Sequence, residues 1–274
     1  MTGATREEID KILAILDADL ARKSPRTRTR YKHFAKMFLS RYNDFSRQGA
    51  IAFVNYISQH FSKNTTRLAY AALAYLYKAL SIKFPLDSRD TPSTPTEDEM
   101  NIPLMPNGDV VKMIKFWRHT PGELLTSFLF ISTIYGVRVG ELSSIEIREN
   151  SVVISVEKQK KTVRKEHRIP EGTKQFLSGY KQTSRREIKS GTFKKLCDEA
   201  GVIKPKKGAF HCIRRSLDTS LLENGLNDVI IGQFMNWALR KTSMVSRYAH
   251  IEMSKVDEMV FEKHPFLPYW LGKE

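Results

Sequence analysis

Proline removes a backbone donor and its ring clashes with the preceding turn, so no helix runs through it. The stretch from Pro85 to Pro106 holds Pro85, Pro92, Pro95, Pro103 and Pro106, and Asp87, Asp90, Glu97, Asp98 and Glu99 make it acidic within a strongly basic chain. That texture predicts a linker over residues 85–106, a first domain over residues 1–84 and a second over residues 107–274. With 274 residues, of which 41% are hydrophobic, the chain can build a core on each side of such a break.

The first domain reads as helices. Ile9, Ile12, Leu13, Leu16 and Leu20 fall on one helical face. Ser24 and Pro25 have the form of an N-cap followed by proline at the first helical position, ahead of a stripe of Tyr31, Phe34, Ala35, Phe38 and Tyr42. Further helices are predicted over residues 50–59 and from Asn64 onward, where Leu68, Ala71, Ala72, Tyr75, Leu76, Ala79 and Leu80 keep register. Beyond the linker, helices are predicted over residues 110–117 and 123–134. The β-branched run Val152, Val153, Ile154, Val156 predicts a strand, with Arg168-Ile169-Pro170 in the return strand of a hairpin. Asn224-Gly225 predicts a left-handed helix end, and Asn227 caps the next helix. The fold class is mainly α with a small antiparallel β-sheet.

A formal charge of +15 points to a polyanion. The longest apolar stretch, residues 128–137, is too short to span a bilayer, and the polar, acid-bearing N-terminus is unlike a secretory signal. Cys197 and Cys212 are too few for a disulfide framework or a zinc site. The expectation is an intracellular protein, cytoplasmic or nucleoid-associated, that meets nucleic acid and needs neither metal nor membrane.

Four islands in the second half could carry chemistry. Arg138 follows an apolar helix and Gly136; it either pairs with Glu141 or faces a ligand anion. His211 and Arg214, three apart, project from one helical face, on the surface or in a site. Lys158, Lys160, Lys161 and Lys165 form a hairpin charge run, ordinarily solvated. Tyr248, eleven residues after Trp237, is by itself an ordinary helical tyrosine. In the first domain Arg26, Arg28, Arg30, Lys32 and Lys36 interleave with the apolar stripe, as a DNA-contacting face or a solvated one.

The order and spacing of these islands resemble the tyrosine recombinase, or phage integrase, family. Its signature is an arginine in a Gly-hydrophobic-Arg-x-x-Glu-Leu box, a hairpin lysine, His-x-x-Arg, a His or Trp, and a nucleophilic tyrosine. Gly136-Val137-Arg138-Val139-Gly140-Glu141-Leu142 fits the box, and His211-Cys212-Ile213-Arg214 fits His-x-x-Arg. The segment from Val229 to Trp237 resembles the one that usually ends in Leu-Gly-His, and Arg247-Tyr248-Ala249-His250 resembles the nucleophile motif. The interval from Trp237 to Tyr248 is longer than the family's usual one. In the hairpin, Lys161 stands at the family's distance from Ile169-Pro170, with Lys160 as the second choice.

The resemblance implies a two-domain DNA clamp, a helical core-binding (SAM-like) domain joined to a catalytic domain with a C-terminal tail. It implies a site-specific recombinase that cleaves and rejoins DNA through a 3′-phosphotyrosyl intermediate on Tyr248, without metal or ATP. Arg138 and Arg214 would hold the phosphate oxygens, His211 and Trp237 would add hydrogen bonds, and Lys161 would protonate the departing 5′-hydroxyl. Arg26, Arg28, Arg30, Lys32 and Lys160 would grip the duplex, which carries a specific site. The implied assembly is a homo-tetramer on two duplexes, a monomer or dimer when free. The aromatic tail containing Phe261, Phe266, Tyr269 and Trp270 either docks into a neighbouring protomer, the favoured placement, or packs on its own domain. A type IB topoisomerase-like relaxing enzyme and a non-catalytic DNA-binding relative are the alternatives.

Overall fold

A computed structural model of the chain describes residues 4–95, 103–158, 161–183, 188, 190–235 and 251–273. It divides into two units, Met1–Asn101 and Ile102–Glu274.

The first unit packs α1 (Arg6–Asp19), α2 (Pro25–Arg41), α3 (Arg47–His60) and α4 (Lys63–Ala79). Each starts where a hydroxyl side chain can accept an orphan backbone N–H. Thr5, Ser24, Ser46 and Ser62 do so, and Thr5 forms a full capping box with Glu8. The apolar stripes meet in a core of Leu16, Leu20, Phe38, Phe53, Ile57, Ala72 and Leu76. Phe38 lies at its centre, edge-on to Phe53 at 5.4 Å and to Phe45 at 5.5 Å, a favoured geometry for aromatic rings. α3 begins three residues and α4 one residue earlier than expected, because the serine caps, not the first apolar residues, set the ends.

The prolines after α4 leave room only for a single 3-10 turn, Ser88–Asp90, among the described residues, without excluding packing. Leu86 is buried, Arg47 donates to Pro85 O at 2.9 Å and makes a two-pronged bond to Asp90, and Tyr70 Oη donates to Asp87 O at 3.2 Å. Within the second unit, Met105 is buried and its N–H donates to Ser216 Oγ at 2.9 Å. Of the predicted linker, residues 96–102 lie outside the described residues.

The second unit contains α5 (Asn107–Trp117), α6 (Leu124–Tyr135), β1 (Ile145–Ile147), β2 (Ser151–Lys158), β3 (Lys161–Arg168), α7 (Ser190–Glu199), α8 (Phe210–Glu223), α9 (Asp228–Phe234), α10 (Met253–Glu262) and the single turn α11 (Leu267–Trp270). α6 is its axle, buried from Thr126 to Tyr135. A helix buried on every side has no solvated face for polar groups, so Thr133 Oγ1 donates to Leu129 O at 2.8 Å, while Ser132 Oγ is buried with no hydrogen-bond partner among the described residues. The strands form an antiparallel sheet in the order β1-β2-β3, with Ile145 opposite Ile154 and Ser151 opposite Arg168. β1 adds an edge strand not read from sequence. The return strand ends at Arg168, before Ile169 and Pro170, since proline has no N–H for a ladder. Asn227 caps α9 as expected, accepting from Ile230 N at 2.9 Å, and Gly225 has φ +79°.

Of the two placements expected for the C-terminal aromatics, the single chain shows packing on their own unit. Phe266 and Trp270 are buried in their own unit, the Trp270 ring lying 4.7 Å from Phe176 and 5.2 Å from Phe130. Trp270 Nε1 donates to Thr133 Oγ1 at 3.0 Å. A buried indole N–H needs a partner, and this one finds it on α6, so Phe266 and Trp270 complete the core beneath α6 within this chain. Among the described residues no helix is long and apolar enough to cross a membrane.

His264 locks this tail. Its Nδ1 accepts the N–H groups of Phe266 and Leu267, both at 3.1 Å, and its Nε2 lies 3.0 Å from Ile134 O as donor. Only a neutral imidazole can do both, and burial holds its pKa down to about 4. The unfolded chain binds the proton near pH 6.5, so between those values the unfolded state takes up more protons than the folded one. Stability present above pH 6.5 therefore falls as pH drops toward 4, by at most about 1.4 kcal/mol per pH unit. Urea unfolding across that range is expected to show a steeper loss for the wild type than for His264→Gln.

Candidate active site

The site begins where α6 ends. Gly136 terminates the helix at φ +58°, and a Cβ there would lie 2.5 Å from Met235 Cε and 3.1 Å from Leu217. Glycine is favoured by the left-handed turn, and a side chain here would also have to displace the end of Met235. The turn releases the chain so that Arg138 leaves the core, its side chain 42% exposed.

Glu141, itself buried, receives Arg138 twice: the backbone N–H donates to Oε2 at 2.7 Å and Nη1 to Oε1 at 2.8 Å. Its Oε2 also stands 4.0 Å from Arg214 Nη1. The Arg138–Glu141 pair foreseen as the plain reading is present, and the same carboxylate faces the second arginine.

Arg214, on α8, is 3% exposed. Its Nη1 donates to Gly136 O and its Nη2 to Met235 O at 2.5 Å. These carbonyls cap the C-terminal ends of α6 and α9, where helix carbonyls lack intrahelical partners and carry partial negative charge. Burial, then the nearby Arg138 charge, lowers the Arg214 pKa to about 10, with Glu141 opposing, so the guanidinium stays charged at neutral pH. Of its five N–H donors, two serve these carbonyls.

His211 lies one turn before Arg214 on α8 and is half-buried. Burial, followed by repulsion from Arg214, Arg138 and Arg215, pushes its pKa below the ordinary value. A neutral imidazole beside two guanidiniums can accept a proton from a neighbouring hydroxyl. Arg138, Arg214 and His211 thus form one electrostatic neighbourhood around Glu141.

On the same helix, Asp218 follows Arg214 by one turn. Its Oδ1 is buried without a hydrogen-bond partner among the described residues, and burial raises its pKa to about 6, with Arg214 opposing. Sequence reading passed over Asp218, whose burial has no local signal. It also passed over Lys165, named then only as part of the charge run. Lys165 projects from β3, half-buried, and its Nζ donates to Gln233 O on α9.

The remaining predicted residues divide sharply. Trp237, Tyr248 and Lys160 lie outside the described residues, and of Lys161 the structure describes the backbone, paired with Lys158 at the hairpin end. The described chain stops at Met235, whose carbonyl holds Arg214, and resumes at Ile251, packed against the core. In the first unit, Arg28 bonds Asp17 with Nε at 3.2 Å and Nη2 at 2.6 Å, and Lys32 reaches the same carboxylate at 3.1 Å. Those contacts, Arg28 foremost, hold the Asp17 carboxyl below its usual range. Arg26 and Arg30 are exposed on the same helix, and Arg30 lines a groove between α2 and α4 with His33, Asn64 and Thr65.

Removing Glu141 leaves two cations sharing a partly dry space. Glu141→Ala is expected to lower stability by roughly 1–3 kcal/mol, and Glu141→Gln, which keeps an acceptor, by less; paired urea titrations measure the difference.

No protein-family model and no curated protein matches the chain. Among solved structures it is similar to lambda integrase bound to DNA, at 14% identity and a TM-score of 0.63, over 90% of this chain and 99% of that one. It is also similar to the Tn1549 transposon integrase in complex with transposon right end DNA, at 13% identity and a TM-score of 0.54, over 92% and 98%. A third is the XerH site-specific recombinase bound to difH substrate, at 13% and 0.54, over 89% and 81%. These structures are tyrosine recombinases and integrases, and the likeness is one of fold: mostly helical, with a small antiparallel sheet.

Proposed function

We propose, starting from the fold this chain shares with the tyrosine recombinases, that it is a site-specific DNA recombinase whose strand cleavage passes through a phosphotyrosyl bond to Tyr248. The observation that carries the reading is the meeting of Arg138, Arg214 and His211 around one buried carboxylate. Arginines on unrelated faces of the unit would have left no place for a shared anion. Instead, a charged guanidinium is fixed in a dry site with donors to spare, and a second stands more exposed beside it.

The chemistry follows from those properties. The Tyr248 oxygen attacks phosphorus, the Tyr248 O–P bond forms and the bond from phosphorus to the 5′-oxygen breaks. Negative charge grows on the non-bridging oxygens, and Arg138 and Arg214 neutralise it with fixed N–H donors that need no rearrangement. His211, held neutral, takes the proton from the tyrosine hydroxyl. Lys161 returns a proton to the departing 5′-hydroxyl, and Trp237 adds a donor to the phosphate. Since one phosphodiester replaces another, the reverse attack by a new 5′-hydroxyl restores the strand. The first unit grips duplex DNA through Arg26 and Arg30, with Arg28 and Lys32 in support, and Lys160 of the second unit adds a further contact.

The assembly is proposed from what similar proteins do. Lambda integrase, similar to this chain at 13% identity and a TM-score of 0.58 over 89% of it and 80% of that chain, is known as a tetramer bound to a Holliday junction. The present chain is proposed to form a homo-tetramer on two duplexes in the same manner.

The test uses a library of nicked suicide duplexes with randomised arms, resolved on a denaturing gel. Wild type is expected to give a covalent protein–DNA adduct mapping to Tyr248, and Tyr248→Phe none. Arg214→Lys keeps charge and loses paired geometry, so its adduct rate is expected to fall on the order of a hundred- to thousandfold. An equal adduct from Tyr248→Phe would overturn the proposal. Relaxation of any supercoiled plasmid without a preferred site would replace it with the topoisomerase-like alternative.

A further inference from the structure

A second buried polar cluster lies in the second unit, and its parts come from elements that carry or flank the candidate catalytic residues. Asp257, on α10, is fully buried. Its Oδ1 stands 2.8 Å from His167 Nδ1, and its Oδ2 accepts the Arg168 N–H at 2.7 Å. His167 is also fully buried, near the end of β3. Its Nε2 has no hydrogen-bond partner among the described residues, and its ring lies 5.0 Å from Phe234 and 5.5 Å from Tyr135. An orphaned buried N–H is rarer than an orphaned acceptor, so the proton sits on Nδ1 and is donated to Asp257. Tyr135 Oη donates to Arg168 O at 3.0 Å, which brings the last residue of α6 into the same cluster.

Four segments therefore meet at one point. α6 leads into the turn of Arg138, β3 is the strand that begins with Lys161, Phe234 closes α9 just before the stretch 236–250, and α10 opens just after it. At the first end of that stretch Met235 O is held by Arg214. At the second end, the only carboxylate that α10 places in this cluster is Asp257, and it is taken up on both oxygens by β3.

We propose that Asp257 and His167 are a positioning pair that ties the helix after Tyr248 to the lysine-bearing strand, so that the chain carrying the nucleophile is anchored at both ends. The inference rests on the recombinase reading for its purpose, though not for its geometry. Neither residue touches DNA. A misplacement of reacting atoms by about 1 Å can cost a hundredfold in rate, and a buried two-oxygen clasp is stiffer than an apolar contact, which can slide.

The test compares Asp257→Asn, His167→Leu and His167→Asn with wild type in full-length protein, by two readouts. The first is backbone hydrogen exchange over residues 236–256, which does not depend on activity. The second is the single-turnover adduct rate at saturating DNA, well below every variant's melting temperature. Exchange is expected to quicken in Asp257→Asn and His167→Leu, and their adduct rates to fall between about tenfold and a hundredfold, with DNA affinity unchanged. His167→Asn places an amide donor near the Nδ1 position and is expected to restore most of the rate, which a loss of packing alone would not produce. Unchanged exchange, or an unchanged rate at saturation in both Asp257→Asn and His167→Leu, overturns the proposal. Should His167→Leu fail to fold, the nearly isosteric Asp257→Asn decides it. If wild type forms no adduct, the recombinase reading falls, and exchange alone decides the clasp.

Discussion

Burying the guanidinium of Arg214 is the constraint around which the second unit is arranged. This group stays ionised at any physiological pH, so it can be dry only where oxygens surround it. Here two helix ends and one carboxylate supply them: Gly136 O, Met235 O and, at 4.0 Å, Glu141. Each demand propagates. The carbonyl of Gly136 is available because α6 stops in a left-handed turn. That turn strains any residue with a Cβ, and Met235 and Leu217 would have to shift to make room for one. Met235 is in place because α9 ends there. One buried cation thereby fixes the relative placement of α6, α8 and α9.

The same arrangement sets the electrostatics. Burial first, and then repulsion from the arginines held beside it, keeps His211, on the same helix face, below its ordinary pKa. A neutral base beside permanent cations is a difficult combination in water, where the charges would be screened. It becomes simple when burial and covalent spacing on one helix, three residues apart, do the holding. Glu141 keeps the cations from driving each other apart while leaving Arg138 partly in solvent.

Much of the fold was legible because its signals are local. Stripes such as Tyr31, Phe34 and Phe38, the serine caps, the β-branched run at Val152 and the Asn224-Gly225 helix end each declare themselves within a few residues. The arginines and His211 were legible through motif spacing. β1 was not, since three residues carry no usable period and its strand identity comes from pairing with β2. Nor was the Asp257–His167 contact, whose partners stand ninety residues apart and individually look like an acidic helix residue and one more charge in a basic strand. The place of Trp270 was equally hidden: an aromatic tail reads the same whatever core it fills, and its partner, the hydroxyl of Thr133, lies far away in sequence.

Asp17 of the first unit, finally, bears on how the protein's charge should be counted. Arg28 and Lys32 already have a carboxylate as counterion in the folded chain. A cation so neutralised displaces few bound cations from DNA when it meets a phosphate, and free energy from that release is what makes affinity depend on ionic strength. The cluster of Arg28, Lys32 and Asp17 therefore brings one net positive charge, not two, to the effective polyelectrolyte valence of this surface. The double-logarithmic dependence of binding on salt should be correspondingly shallow, steepening if residue 17 loses its carboxylate.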